Sequence, residues 1–219
     1  MAAGTQGGAP IMAEPGPAPD RFSFDAESET RMAPILAKYP AGKQASAVLP
    51  LLDLAQRQMG RCTGSAWVPR AAMDEIARRL GMPPIRVYEI ATFYAMFNTA
   101  PVGKYHLQVC TTTPCWLRGS DEVVQACRRA TGITDWKQTS ADGLFTMTEV
   151  ECLGACVNAP ILQVNDDFYE DMDAESTGRL LAALKRGEVP PPGSMTGRLA
   201  SAPEGGPGTL TTLTFDEAE

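Results

Sequence analysis

A chain of 219 residues with 44% apolar side chains is long enough for one large or two small packed domains. Its net charge is -7 and its 19 Lys and Arg are spread thinly, so no basic face is present and no nucleic-acid partner is expected. No stretch approaches the ~20 apolar residues of a membrane span, and the first twenty residues hold neither a basic residue nor an apolar signal core, so a chain in a reducing compartment with no direct membrane insertion is expected.

Residues 1–24, rich in Gly, Ala and Pro, read as a disordered leader. Residues 25–100 read as a helical bundle. A short helix is expected around Thr30 to Lys38, followed by one whose Val48, Leu51, Leu52, Ala55 and Met59 share a face. The next carries Ala72, Met73, Ile76, Ala77 and Leu80, with Pro69 near its start and Gly81 just past its end. A fourth opens after Pro83-Pro84 and puts Val87, Ile90, Tyr94 and Phe97 on one side. The aromatic run Phe93, Tyr94 and Phe97 reads as core, with a partner surface as the other option.

After Pro101 the period changes from helical to alternating, and residues 101–189 read as a second domain. Tyr105, Leu107 and Val109 point one way along a strand that ends in Cys110, on which His106 is expected to be partly exposed. Ser120 is expected to cap a helix with Val123, Val124 and Cys127 inward, ended by Gly132. Strands follow near Leu144 to Val150 and Ile161 to Val164, and Asn165-Asp166-Asp167 turns the chain into Phe168 to Glu170. Asp173 caps a last helix with Leu180, Leu181 and Leu184 inward, stopped by Gly187. The fold class is therefore α+β, an N-terminal helical bundle followed by a small α/β sandwich of the thioredoxin type. Residues 190–219 read as an extended Pro/Gly-rich tail that orders only against a partner, with Thr209 to Phe215 able to add a strand to another chain.

Four of the six cysteines stand in two close pairs, Cys110-x4-Cys115 and Cys152-x3-Cys156, separated by 36 residues. Two such loops brought together make a tetrathiolate cage, which suits an iron-sulfur cluster or zinc. The gaps of four and three residues are wider than the two-residue gap of most zinc knuckles, and favour two irons, one per loop; zinc, disulfides and plain buried thiols remain alternatives. The only histidine, His106, lies outside both loops, which excludes a Rieske centre. Cys127 reads as a small core residue. Small residues and Gly154 in the loops let backbone amides turn toward the sulfurs. The carboxylates Asp166, Asp167, Glu170, Asp171, Asp173 and Glu175 read first as a solvated turn and helix start, and second as a field on the metal site.

No G-x-G-x-x-G, no phosphate-binding G-x-x-x-x-G-K-[ST] and no nucleophile elbow is present, so no nucleotide site and no catalytic residue is assigned. The stretches WVPRAAMDEIARRLGMPPIRVYEIATFYAMF (Trp67 to Phe97), KYHLQVCTTTPCWLRGS (Lys104 to Ser120) and ECLGACVNAPILQVNDDFYEDM (Glu151 to Met172) closely resemble the thioredoxin-like [2Fe-2S] subunit of bacterial NADH-quinone oxidoreductase, respiratory complex I. That resemblance implies a [2Fe-2S] cluster on Cys110, Cys115, Cys152 and Cys156, and leaves Cys62 and Cys127 outside the motif. It implies single-electron exchange with FMN in an NADH-binding flavoprotein partner among other peripheral-arm subunits, on the cytoplasmic side of the bacterial inner membrane. An equivalent component of an NAD-linked hydrogenase or formate dehydrogenase, a free ferredoxin, and a zinc scaffold are the rival readings.

Overall fold

The computed structural model describes residues 19–198 and 208–209. Residues 1–18 of the expected leader, and the expected strand at Thr209 to Phe215 beyond its first residue, lie outside them. Packing divides the chain into two units. One runs up to Lys104 and includes Thr139–Thr146, and the other holds Tyr105–Gln138 and the residues from Met147 onward.

The first unit is helical. α1 (Ala26–Ala37) opens at Asp25, whose carboxylate accepts from the Ser28 amide at 2.7 Å, while Glu27 and Glu29 place negative charge where the helix dipole favours it. α2 (Val48–Thr63), α3 (Arg70–Leu80) and α4 (Pro84–Phe93) follow. The apolar faces read from the sequence do meet: Leu51, Leu52 and Ala55 of α2 are buried with Ala72 and Ile76 of α3 and Val87 of α4. Each fully buried Leu, Ile or Val side chain among them is worth about 2 kcal/mol.

Two expectations need correction here. Order begins before residue 25: Phe22 and Phe24 pack edge to face at 5.1 Å, Phe24 is buried, and the Gln58 amide binds both Ser23 O at 2.8 Å and the Asp25 amide at 2.9 Å. The aromatic run also splits, because Tyr94 is extended and ends α4. Phe97 turns into the core, whereas Phe93 is 80% exposed and Tyr94 only partly covered. At the end of this unit Gly103 donates to Thr146 Oγ1 at 2.7 Å, and a Cβ there would sit 2.8 Å from backbone atoms of Leu144 and Phe145. No side chain fits.

The strands are β1 (Tyr105–Cys110), β2 (Gln138–Thr139), β3 (Phe145–Val150), β4 (Leu162–Val164), β5 (Asp167–Glu170) and β6 (Gly193–Ser194), in the order β2-β3-β1-β4-β5-β6. β1 pairs antiparallel with β4, Leu107 opposite Val164. β4 returns antiparallel into β5 through Asn165-Asp166, with Asn165 in the left-handed conformation that Asn tolerates. α5 (Thr113–Leu117), α6 (Ser120–Thr131) and α7 (Ala174–Lys185) complete the unit, with α6 packed on both α7 and β1.

Asp173 caps α7 as expected, in a reciprocal box with Ser176, and Leu180, Leu181 and Leu184 are buried. Ser120 is not the cap of α6. Gly119, at φ 97°, takes that place, and Ser120 becomes the first helical residue with a buried hydroxyl lacking a hydrogen-bond partner. His106 is buried, not partly exposed. β1 lies between β3 and β4, where Tyr105, His106 and Leu107 are all covered, so the alternation of a half-exposed strand fails. The start of the expected tail also differs, since β6 pairs in parallel with β5 of its own chain, Tyr169 opposite Gly193.

Candidate metal centre

Cys110 is the last residue of β1, and its amide donates to Ile161 O at 3.3 Å. The chain then makes one bend and enters α5, whose first turn carries Cys115. The length expected to be a loop is thus partly helical. Both sulfur residues are 1% exposed, within an apolar shell of Ala159, Ile161, Leu153, Ala155 and Phe168. The second pair stands differently. Cys152 is exposed and Cys156 half-buried, at the start of a 3-10 turn (Cys156–Asn158). Gly154, at φ 84°, bends the chain between them and lets its amide donate to Cys152 Sγ at 3.4 Å.

All six cysteines are free thiols. Cys152 Sγ and Cys156 Sγ lie 3.2 Å apart, far beyond the ~2.05 Å of a disulfide bond. The Thr112 hydroxyl is 3.2 Å from Cys110 Sγ. Burial pushes the Cys110 thiol up, yet hydrogen bonds from the Thr112 side chain and amide outweigh it and its pKa falls. Burial and the neighbouring Cys110 raise Cys115 to about 12. The Gly154 amide, with Cys156 beside it, lowers Cys152, while Cys156 is raised chiefly by Cys152. Cys110 acts electrostatically on Cys115, Cys152 and Cys156, so the two sequence-distant pairs lie near each other.

Thiols that hold one another partly protonated release those protons when a cationic centre supplies the missing positive charge. Donor type and apolar shell fit an iron-sulfur cluster. No group of three or more His, Cys, Asp or Glu among the described residues is gathered to hold a single ion.

The family description "Thioredoxin-like [2Fe-2S] ferredoxin" matches residues 32–185. A relative from Rickettsia conorii, named as one of the subunits of NADH-quinone oxidoreductase, is 51% identical over 164 residues, covering 75% of this chain and 95% of its own length. The chain belongs to the thioredoxin-like [2Fe-2S] ferredoxins, in the branch that serves NADH-quinone oxidoreductases. Its cofactor is accordingly a [2Fe-2S] cluster. The mitochondrial NADH dehydrogenase [ubiquinone] flavoprotein 2 of Dictyostelium discoideum is 47% identical over 192 residues, 88% of this chain and 74% of its own length. An NAD+-reducing [NiFe]-hydrogenase shares the fold at a TM-score of 0.53 and 21% identity, over 64% of this chain and 23% of its own.

Cys127 is fully buried on α6, its thiol pushed up to about 12 by burial, and Cys62 is exposed on α2. His106 binds Thr148 Oγ1 at 2.9 Å, and burial lowers its pKa to about 4. Several of the acids have structural work: Asp173 caps α7, Glu170 accepts from Asn158 Nδ2 at 2.5 Å, and Asp171 holds Arg198 at 2.8 Å. Thr112 was legible as a neighbour of the thiols and not as their donor. Asn158 and Arg198 gave no signal, because their partners lie 12 to 41 positions away.

Proposed function

We propose that this chain is the electron-transfer component of the NADH-oxidising module of an NADH-quinone oxidoreductase. In this reading Cys110, Cys115, Cys152 and Cys156 hold the [2Fe-2S] cluster, which exchanges single electrons with FMN in a flavoprotein partner. The observation that carries it is the unequal site: two buried thiols anchor from within, and two thiols reach the surface, within one shared field. When bound, a [2Fe-2S] cluster supplies one-electron storage.

The chain's own residues then do three things. Thr112 and Gly154 direct hydrogen bonds at sulfur and ease the negative charge that an added electron brings. Leu153, Ala155, Ile161 and Phe168 keep water from the inner pair. Trp116 and Leu117 beside Cys115, and Val157 beside Cys156, leave large apolar side chains exposed, which suits a protein partner closing over this edge. The helical unit offers its own uncovered set in Ile85, Tyr88, Phe93 and Met96.

No helix among the described residues is long and apolar enough to cross a membrane. The reading therefore attaches the chain peripherally, on the cytoplasmic side of the bacterial inner membrane, through other subunits. Identity of 51% to the NADH-quinone oxidoreductase relative, against 21% to the hydrogenase chain, favours this assembly over an NAD-linked hydrogenase.

The test is stopped-flow reduction of the chain co-purified with its NADH-binding flavoprotein partner. NADH should bleach the cluster absorbance in the pair and leave the isolated chain oxidised. A pair in which flavin is reduced while a dithionite-reducible cluster stays oxidised would refute the exchange.

A further inference from the structure

Past α7 the chain returns to the edge of the sheet, where Met195 N donates to Glu170 O at 2.9 Å after β6, and ends its described run at Arg198. Arg198 does more than anchor the tail. Its Nη2 donates to Val157 O at 2.6 Å, to Asn158 Oδ1 at 2.8 Å and to Asp171 Oδ1 at 2.8 Å, and its Nε donates to Asp171 Oδ2 at 3.2 Å. Asp171 is nearly buried, 6% exposed at its side chain, and its Oδ2 also accepts from Ser194 Oγ at 2.6 Å and Thr196 Oγ1 at 3.2 Å. The guanidinium is therefore aimed by a fixed carboxylate, with two donors engaged in a fork.

What it is aimed at is the turn that starts with Cys156. Asn158, 1% exposed, uses every polar atom it has: its amide donates to Ala155 O at 3.0 Å, and its carbonyl accepts from the Asp171 amide at 2.7 Å. Its Nδ2 donates to Glu170, and its Oδ1 accepts from Arg198. Val157, between Cys156 and Asn158, turns its side chain to the surface rather than into the core. Its carbonyl is held by Arg198 instead.

We propose that Arg198, oriented by Asp171, is a positioning residue for the metal centre: it locks the Cys156–Asn158 turn and keeps a positive charge beside it. This rests on the reading that Cys156 is a cluster ligand. Partners that fix a ligand-bearing segment typically matter for metal retention by 10- to 100-fold. A tail anchor alone would need only the contacts to Asp171.

The test uses the full chain loaded with its cluster, as wild type and as Arg198→Gln, Arg198→Lys and Asp171→Asn. Absorbance bleaching in a chelator, the midpoint potential and the reduced EPR spectrum are measured beside helix content. Arg198→Gln is expected to lose its cluster roughly tenfold faster, to shift the EPR g-values and to lower the midpoint, because a cation that favours the added electron is gone. Arg198→Lys keeps the charge and loses the fork, so its midpoint stays near wild type while its loss rate is intermediate. Asp171→Asn should raise the loss rate by unaiming the guanidinium.

Wild-type bleaching, midpoint and EPR in Arg198→Gln would overturn the proposal, whatever its melting temperature. If that variant folds poorly, Arg198→Lys decides, and a wild-type loss rate there overturns it. A wild-type chain that holds iron with Cys156→Ser unaffected would instead refute Cys156 as a ligand.

Discussion

The two cysteine pairs are held by different physics. Cys110 and Cys115 come from a central strand and a short helix whose positions the core dictates, and their sulfurs lie in an apolar shell. Cys152 and Cys156 lie on a surface segment that buries little, shaped by one left-handed glycine and a polar network reaching to Arg198. Core packing fixes the first pair, whereas hydrogen bonds shape the segment that carries the second. The inner pair is thus tightly packed and the outer pair is not.

Serine substitutions should break that symmetry most sharply. Cys115→Ser removes a ligand and leaves a hydroxyl in apolar surroundings, so it should abolish the cluster and also cost about 1–3 kcal/mol of fold stability. Cys152→Ser, at the exposed end, should impair the cluster while leaving the urea midpoint of the cluster-free chain unchanged. Equal destabilisation of the two variants would contradict the contrast.

One part of the pH dependence probes the inner side. Burial lowers His106 from 6.5 to about 4, so the folded chain prefers the neutral ring and the unfolded chain binds the extra proton first. This contribution to stability is complete above pH 6.5 and declines as pH falls from 6.5 to about 4, by about 3 kcal/mol at most. A His106→Gln variant should lose that part of the slope in urea titrations. An unchanged slope would mean that His106 accepts its proton without resistance.

The outer side answers to Gly154→Ala. An L side chain at φ 84° costs about 1–2 kcal/mol, and here the strain falls on the Cys152–Cys156 bend. Faster cluster loss is expected, with a fall in global stability no larger than that strain, measured by chelator bleaching against urea melts.

The same contrast explains what the sequence made legible. Elements fixed by local chemistry were readable: the faces of α2 and α3, the Pro84 start of α4, the Asn165-Asp166 turn and the Asp173 cap. The four candidate cysteines stood out by spacing, but which pair would lie inside did not, because burial depends on how far a strand sits from the edge of its sheet. His106 misled for that reason. Phe93 misled because it was read from the usual burial of aromatic side chains, whereas it is the last residue of α4 and stands exposed. Ser120 lost its capping place to a glycine one residue earlier, which turns the chain at φ 97°. β6 is two residues long, too short for any period, and Arg198 finds its partners across 27 to 41 positions. Long-range hydrogen bonds leave no local trace.

Iron and acid-labile sulfide per chain, measured together with the reduced EPR spectrum of anaerobically purified protein, test the central claim most directly. Two iron, two sulfide and one unpaired spin per reduced chain are predicted, from the two bridged irons of the family's cluster. One zinc per chain, with no sulfide and no signal on reduction, would contradict it.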